Sequence, residues 1–443
     1  MIKRKVLVFT SALLALGSVS CLAACASNYD EKIVVYSWED YIYTGKDEKG
    51  KRIGDGTVKA FEKYYLEKTG VKLKVDYRTF GTNEEMYAKI KLNKISPDLI
   101  CPSDYMIQKM ANAGMLEPFS YDESTKKYAA SLSNWDQYGS PYIRGRFEAE
   151  KLNDGSSFLK YAVPYFWGTM GFTYNPDYFT AEEIGTWEAL WNSSSKFAKA
   201  LSLKDSPRDT YVPAIFHVYK DEIEALDETA DDYTAKLSAI FNKCDDATLA
   251  KVEAALTATK ANVHSYEVDE GKDEIVTGAY HANLAWSGDA VYSMDSAEEG
   301  GKKLNYALPK EGSNVWFDGW CMPKGAKKEL AEEFVNFICK PENAAKNMEA
   351  VGYTSPIVGE EIWEYVNDTY AAEDNDTDTY EVDLSFYFGE SVEDATIAIP
   401  NSEKGRQFDA QYPVEEDLKR CCMMKDFGDQ QEKVEKMWQR IKG

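Results

Sequence analysis

The chain has 443 residues, of which 44% are hydrophobic and 13% aromatic, and its formal net charge is −24 at pH 7. This much apolar and aromatic surface excludes a largely disordered chain. The negative charge argues against nucleic-acid binding and favours cationic partners, although an acidic surface that serves only solubility explains it equally simply.

The first 24 residues have the pattern of a secretory signal. A basic start, MIKRK, is followed by an apolar run from Val6 to Val19 that is too short to span a bilayer. The sequence LAAC, which ends at Cys25, resembles a bacterial lipobox, so we predict cleavage before Cys25, lipidation of its thiol and a short tether over 25–32. The alternatives are an ordinary cleaved signal and a transmembrane anchor.

Strands and helices alternate in the first third of the remaining chain. The sequence pattern predicts strands over 32–36, 71–77 and 98–101. Between and after them it predicts helices over 58–66, 86–92 and 104–113. Gly70 and Gly114 stand where helices end. This order predicts an α/β lobe with a largely parallel sheet.

The pattern changes after residue 160. An extended segment is predicted over 161–175 and a mostly helical region over 186–263; later strands are predicted over 283–286, 304–308 and 315–322, and helices over 330–338 and 430–442. The segment 366–415 is acidic and weakly patterned. The chain without its leader is too long for one compact core, which predicts two lobes.

No motif of a common enzyme or metal site is present. Phosphate-binding loops, HExxH and GxSxG are absent, and the three histidines have no evident nucleophile partner. We therefore predict no catalytic residue, metal or cofactor, although abundant carboxylates leave a two-carboxylate hydrolase open. The disulfide state is left open for the six cysteines beyond the leader, Cys101, Cys244, Cys321, Cys339, Cys421 and Cys422.

Acidic residues stand beside aromatic residues at several predicted strand ends, in WEDY (38–41), SDY (103–105), WSGD (286–289) and WFD (316–318). In open α/β sheets, ligands bind beyond the carboxyl ends of strands. Carboxylates and aromatic faces both attract ammonium groups. These pairs suit a linear polyamine, in which methylenes separate ammonium groups, although each aromatic could instead be a core residue and each acid a solvated or helix-capping residue.

The order of these segments resembles that of the spermidine/putrescine-binding subunits of ABC importers. The resemblance runs from about Ile33 to Gly352 and rests on YSWEDYI, DLICPSDYMIQKMANAGMLEPF, AVPYFWGTMGFTYN, AWSGDAVY and NYALPKEGSNVWFDGWCMP. It implies an α/β, two-lobed periplasmic-binding-protein-like fold of type II with a hinged ligand cleft. The implied first lobe comprises 33–163 and 314–355, and the second comprises 164–313 and 356–443.

The resemblance also implies a set of ligand-binding residues. The positions that match the family's pattern are Trp38, Asp40, Tyr41, Ser103, Tyr105, Asp209, Trp286, Asp289, Trp316, Asp318 and Tyr353. A helix N-cap is the alternative for Ser103, and a favourable charge at a helix start is the alternative for Asp289. Ser206 and Met424 depart from the pattern of triamine binders, and Asp289 resembles that of diamine binders, so putrescine is expected in preference to spermidine.

The function implied is that of a non-catalytic receptor. It would bind linear polyamines, putrescine or spermidine, outside the cell and deliver them to the permease subunits of an ABC importer. The protein would be a monomer, extracytoplasmic or periplasmic, held to the bacterial membrane through Cys25. The alternatives are a binding protein for a sugar, peptide or metal, and a secreted hydrolase.

Overall fold

The computed structural model describes residues 29–46 and 50–443. The predicted signal sequence and Cys25 lie outside these described residues. Within the described ranges, none of the helices combines the length and the apolar character that crossing a bilayer requires. The six cysteines in these ranges carry free thiols, and Cys244 alone among them is not fully buried.

The described chain is a mixed α/β protein. Its strands are β1 Glu31–Ser37, β2 Leu73–Thr79, β3 Leu99–Ile100, β4 Leu116–Glu117, β5 Tyr121–Asp122, β6 Lys127–Tyr128, β7 Ala162–Tyr174, β8 Leu201–Lys204, β9 Val263–Glu267, β10 Ala282–Trp286, β11 Asn305–Ala307, β12 Ser313–Pro323, β13 Thr379–Asp383, β14 Thr396–Pro400 and β15 Cys421–Cys422. Its α-helices are α1 Thr57–Thr69, α2 Asn83–Lys91, α3 Asp104–Asn112, α4 Ser133–Tyr138, α5 Pro141–Ala149, α6 Ala181–Ile184, α7 Pro207–Val218, α8 Lys220–Glu224, α9 Tyr233–Phe241, α10 Asp246–Ala258, α11 Gly271–Thr277, α12 Ser287–Glu299, α13 Lys328–Ile338, α14 Pro341–Val351, α15 Glu360–Tyr370, α16 Ser385–Phe388, α17 Gln407–Gln411, α18 Glu415–Lys419 and α19 Gln431–Lys442.

Local sequence explains why the first lobe begins as predicted. Phe61 is buried on the inner face of α1, and the helix ends at Gly70, whose φ of 75° is accessible to glycine without strain. β1 then pairs in parallel with both β2 and β3, as expected for strands connected by helices. The predicted α/β lobe is confirmed, and β1, β2 and β3 are parallel as expected. The sheet as a whole is mixed rather than largely parallel, because β12 pairs antiparallel with β3 and β7.

Two large hydrophobic cores define two lobes. The first lobe packs around the sheet β2-β1-β3-β12-β7, and the second around β7-β10-β8-β9. A smaller cluster lies beneath α12 and β11 and includes Met294 and Tyr306. The two-lobed fold expected from the sequence is therefore present.

β7 and β12 connect the lobes. Residues 162–167 of β7 belong to the first core, whereas Met170, Phe172 and Tyr174 belong to the second. β12 pairs antiparallel with β7 from Val315 to Cys321, so the crossing is a two-stranded ribbon. β15 provides a third crossing, because Cys421 is buried in the first core and Cys422 in the second.

The sequence-based division assigned 356–443 to the second lobe, but much of this segment packs in the first lobe. The β13–β14 hairpin buries Val382 and Ile399 in the first core, where Tyr387 also lies. Chain continuity provides a reason, because this segment follows α14 and α15, which themselves pack in the first lobe. Ala410 of α17 joins the smaller cluster beneath α12, and α19 with the residues just before it, including Met424 and Phe427, joins the second core.

Candidate functional site

Three parallel strands of the second lobe end at one edge of their sheet. β8 pairs in parallel with both β9 and β10. Their last residues are Lys204, Glu267 and Trp286. Since the carboxyl ends of parallel strands meet at a common edge, this edge is the expected position of a ligand cleft.

These strand ends form the Lys204 cluster, which comprises Lys204, Asp209, Glu267, Trp286 and Asp289. The Lys204 ammonium lies 4.4 Å from the centroid of the Trp286 ring. It lies 3.3 Å from Glu267 Oε1 and 3.5 Å from Asp289 Oδ2. Burial alone would lower the pKa of Lys204, but the neighbouring carboxylates of Asp289 and Glu267 outweigh it and raise that pKa, so the ammonium stays charged.

Asp209 enters this cluster from the first turn of α7. Ser206 caps the helix, because its hydroxyl accepts a hydrogen bond from the Asp209 backbone N–H at 3.2 Å, and Pro207 occupies the first helical position. The Asp209 carboxylate accepts a hydrogen bond from Trp286 Nε1 at 3.3 Å. Burial raises the pKa of this carboxyl group.

A second group, the Asp318 cluster, lies in the first lobe and comprises Tyr41, Ser103, Trp316, Asp318 and Tyr353. The Tyr41 hydroxyl donates to Asp318 Oδ2 at 2.6 Å. An isolated β-bridge places Ser103 opposite Asp318. The register between β12 and β7 shifts immediately after Asp318, and irregularities of this kind reorient side chains beside functional sites.

Asp318 is an acid held in apolar surroundings. Its exposed fraction is 6%, and burial raises its pKa to about 6. Oδ1 is buried and forms no hydrogen bond of regular geometry within the described ranges, although the Ser103 hydroxyl lies near the carboxyl group and, with Tyr41, lowers its pKa against the effect of burial. A buried carboxylate oxygen without a regular hydrogen bond is costly, so this atom is available to a donor that enters the cleft.

Tyr353 joins the two clusters across the cleft. Its ring centroid lies 5.3 Å from that of Trp316 and 5.7 Å from that of Tyr41, and its hydroxyl donates to Asp289 Oδ1 at 2.9 Å. Asp289 is 8% exposed and lies in the first turn of α12, where the helix dipole favours a negative charge.

A further contact between the lobes involves Tyr105 and Arg208. The Arg208 guanidinium carbon lies 3.7 Å from the centroid of the Tyr105 ring. Asp104 lies beside them in α3 and accepts a hydrogen bond from the backbone N–H of Phe317 at 3.3 Å. Burial raises the pKa of Asp104 to about 7, against the opposing effect of Arg208. The lobes therefore touch at both Tyr105 and Tyr353.

The structure gathers most of the residues predicted from the sequence. The contacts described above link Tyr41, Ser103, Asp209, Trp286, Asp289, Trp316, Asp318 and Tyr353, and Asn83 Nδ2 donates to both Ser103 Oγ and Tyr105 Oη at 3.1 Å. The Ser103 side chain makes no capping bond to α3, which does not support the alternative role as an N-cap.

Trp38 and Asp40 form none of the contacts that define the two clusters. Trp38 packs against Phe80 with ring centroids 4.6 Å apart, and its Nε1 is buried without a partner within the described ranges. Asp40 is exposed and has a positive φ of 49°. Neither side chain forms a hydrogen bond or ion pair with the rest of the described chain, so their predicted ligand roles remain predictions.

Sequence reasoning missed Lys204, Glu267 and Asp104 as members of this region. The first two end strands β8 and β9, which were not predicted because they adjoin long helical segments. The rule that ligands bind at strand ends would have selected both residues if these strands had been recognised. Asp104 stood within an acid–aromatic segment but was not chosen.

Taken together, the cleft offers buried carboxylates, aromatic walls and one internal ammonium. Asp209 and Asp318 form no ion pair with a basic side chain of the described chain. A cationic ligand would supply the missing counter-charge, and rings such as Trp286 and Trp316 would cover its apolar parts.

The curated relatives are polyamine-binding proteins by name. The chain is 27% identical over 347 residues to the spermidine/putrescine-binding periplasmic protein of Salmonella typhimurium, covering 78% of this chain and 83% of the relative. It is 27% identical over 374 residues to the putrescine-binding periplasmic protein SpuD of Pseudomonas aeruginosa, covering 80% of this chain and 88% of that one.

Solved structures show the same fold. The spermidine/putrescine ABC transporter substrate-binding protein PotD of Streptococcus pneumoniae aligns with a TM-score of 0.60 at 25% identity, over 93% of this chain and 98% of that one. The Tp0655 lipoprotein of Treponema pallidum aligns with a TM-score of 0.61 at 19% identity, over 93% and 99%. The model of the bacterial extracellular solute-binding proteins matches residues 56–360, and the chain belongs to this family.

Proposed function

We propose that this protein binds linear polyamines outside the cell and delivers them to the permease of an ABC importer. The observation that carries the proposal is the buried Oδ1 of Asp318, which forms no regular hydrogen bond within the described chain, in an aromatic-walled cleft. An ammonium group fits such an atom, because it supplies both a hydrogen-bond donor and a positive charge.

The distribution of acids supports a ligand with more than one positive charge. Asp318 lies in the first lobe, whereas Asp209 and Asp289 lie in the second. A ligand that spans the cleft would contact acids on both sides and so favour contact between the lobes. Such closure is how a binding protein signals a bound ligand to a permease. The names of the relatives support the same ligand class.

Calorimetric titration with a ligand panel tests this proposal. The panel contains putrescine, spermidine, a neutral sugar, an amino acid and a short peptide. We expect one molecule of putrescine or spermidine to bind per chain, with no heat from the neutral sugar. Binding of the sugar or peptide in the absence of polyamine binding would contradict the proposal, and turnover of any panel member would contradict a purely receptor role.

We also propose that Cys25 carries a lipid anchor. The support is the basic and apolar leader followed by LAAC. Replacement Cys25→Ser should move the protein from the membrane fraction to the medium or periplasm, while Cys244→Ser, a change at a free cysteine of the mature chain, should not. Membrane retention of the Cys25→Ser protein would contradict the anchor.

A further inference from the structure

Lys204 has the surroundings of a bound ligand rather than those of an ordinary lysine. Its exposed fraction is 1%, and its ammonium faces the Trp286 ring. Glu267 and Asp289 provide carboxylate oxygens at 3.3 and 3.5 Å, and the carbonyl of Val268 accepts a hydrogen bond at 2.7 Å. An aromatic face, two acids and a carbonyl together form a complete ammonium site.

The side chain of lysine is itself an aminobutyl group, four methylenes ending in an ammonium. A linear polyamine ends in the same kind of unit. Lys204 therefore occupies one ammonium site of the cleft with a group that resembles part of the ligand. The acids Asp209 and Asp318 remain without an ion-pair partner in the described chain.

We propose that Lys204 is a built-in cation that fills one ammonium site and thereby restricts the cleft to diamines. This inference rests on the proposed function and specifies its ligand class. Two ammonium groups can be balanced by Asp209 and Asp318. A third would approach Glu267 and Asp289, where it would meet the positive charge of Lys204 and find the carboxylates already paired.

Substitution Lys204→Met tests this inference because methionine keeps most of the length and volume but removes the charge. Titrations with putrescine and spermidine should show that the affinity ratio shifts toward spermidine by about tenfold or more, since one charge-assisted contact is regained. Lys236→Met, at an exposed lysine of α9, is the matched control and should leave the ratio unchanged. An unchanged ratio in Lys204→Met would overturn the inference.

The double variant Lys204→Met with Glu267→Gln separates the ammonium site from a general loosening of the cleft. It removes the acid that the third ammonium would contact, so the gain in spermidine affinity should largely disappear. It also leaves one buried carboxylate, that of Asp289, without its counter-ion instead of two, which limits the loss of stability. A double variant that keeps the full gain would contradict the role assigned to Glu267.

Chemical rescue provides a readout that does not depend on polyamine binding. Lys204→Ala removes the three outer methylenes and the ammonium, and added n-propylamine should occupy the vacated site and raise the melting temperature of this variant. The wild type should show no such stabilisation. Absence of rescue would count against the ammonium site itself. If the amine stabilises the Lys204→Ala variant but the wild type binds no polyamine, only the proposed function is refuted.

Discussion

Asp318 presents a buried oxygen without a regular hydrogen bond in the described chain, while its other oxygen accepts from Tyr41 at 2.6 Å. The substitution Asp318→Asn keeps the shape but removes the charge. We expect putrescine affinity to fall roughly ten- to a hundredfold, because a hydrogen bond to a charged group contributes about 1.5–3 kcal/mol. Titration calorimetry measures this, and Asp374→Asn, the same change at an exposed site, should have no effect. Normal affinity in a folded Asp318→Asn protein would show that Asp318 does not contact the ligand.

The raised pKa of Asp318 predicts a pH dependence of binding. Burial places this pKa at about 6 in the free protein, and a ligand ammonium would favour the ionised carboxylate. Affinity should therefore fall as pH decreases below about 6, approaching tenfold per pH unit, and binding near pH 6 should release protons.

Titrations between about pH 5 and 8 in buffers of different ionisation enthalpy measure both effects. Asp104, with a pKa of about 7, and Asp209, whose pKa is also raised, contribute in the same direction. The part due to Asp318 is therefore identified by its loss in Asp318→Asn. Affinity that is constant across this range would contradict the prediction.

Some residues of the site were predictable because their signal is local. Trp286 with Asp289, and Trp316 with Asp318, stand beside each other in the sequence and meet the same cleft in the structure. Lys204 gives no such signal, since a lysine is usually exposed and nothing in its local sequence indicates burial. Its environment arises from residues 63 and 85 positions away, which only the folded sheet brings together.

At the scale of elements, the acidic segment 366–415 contacts the residues that flank Tyr353. The Tyr387 hydroxyl, in α16, donates to the carbonyl of Ser355 and accepts from Trp167 Nε1 at 3.0 Å. Gln411, in α17, donates to the carbonyl of Gly352 at 2.8 Å. These contacts surround Tyr353, so the segment that looked weakly patterned holds a residue of the Asp318 cluster in place.

Substitution Tyr387→Phe tests this support. It leaves a buried carbonyl and an indole N–H without partners, so the free energy of unfolding should fall by about 1–3 kcal/mol in urea titrations. Putrescine affinity should also decrease, because Tyr353 loses part of its support. Tyr292→Phe removes an exposed hydroxyl and should change stability by less than about 0.5 kcal/mol. Equal effects of the two changes would argue against a supporting role.

The missed elements have a common physical cause. β8 has four residues, all buried, and therefore lacks the alternation by which a strand with one exposed face is recognised. β9 begins directly after a helical turn and contains polar residues such as His264. Both strands form because β10 and β8 provide neighbours for pairing, which is information that a local window does not contain.

At the scale of the whole molecule, Gly288 allows the lobes to meet. It lies in the first turn of α12 in the second lobe, and a methyl group at this position would overlap the Tyr353 ring of the first lobe. Contact between the lobes at Tyr353 therefore requires a residue without a side chain at position 288.

Substitution Gly288→Ala should keep the lobes from closing. Putrescine affinity should fall about tenfold or more, and small-angle scattering should show less contraction on ligand addition than in the wild type. Stability should not fall, because alanine is a better helix former than glycine. Gly145→Ala, in α5, where open space surrounds the glycine, is the control. Normal contraction of the Gly288→Ala protein would contradict the prediction.

The overall architecture was predictable to the extent that it depends on order along the chain. Alternating strands and helices indicated the first lobe, and the extended segment 161–175 became β7. The return of the C-terminal segment to the first lobe was not predictable, since it depends on which apolar surface remains uncovered after both sheets have formed. The sequence shows that Val382 and Ile399 of the hairpin are apolar, but it does not indicate which surface they pack against.

Because β7 contributes side chains to both hydrophobic cores, the sheets of the two lobes share this strand. Unfolding of one lobe would remove strands that pair with β7. It would also expose apolar residues of β7 that pack in the other lobe. Heat should therefore unfold the two lobes together, with a calorimetric enthalpy close to the van't Hoff enthalpy in scanning calorimetry. Two separate heat-absorption peaks would show that the halves of β7 melt independently. A receptor whose lobes unfold as one cooperative unit can move about its crossing strands without either half becoming a target for proteolysis.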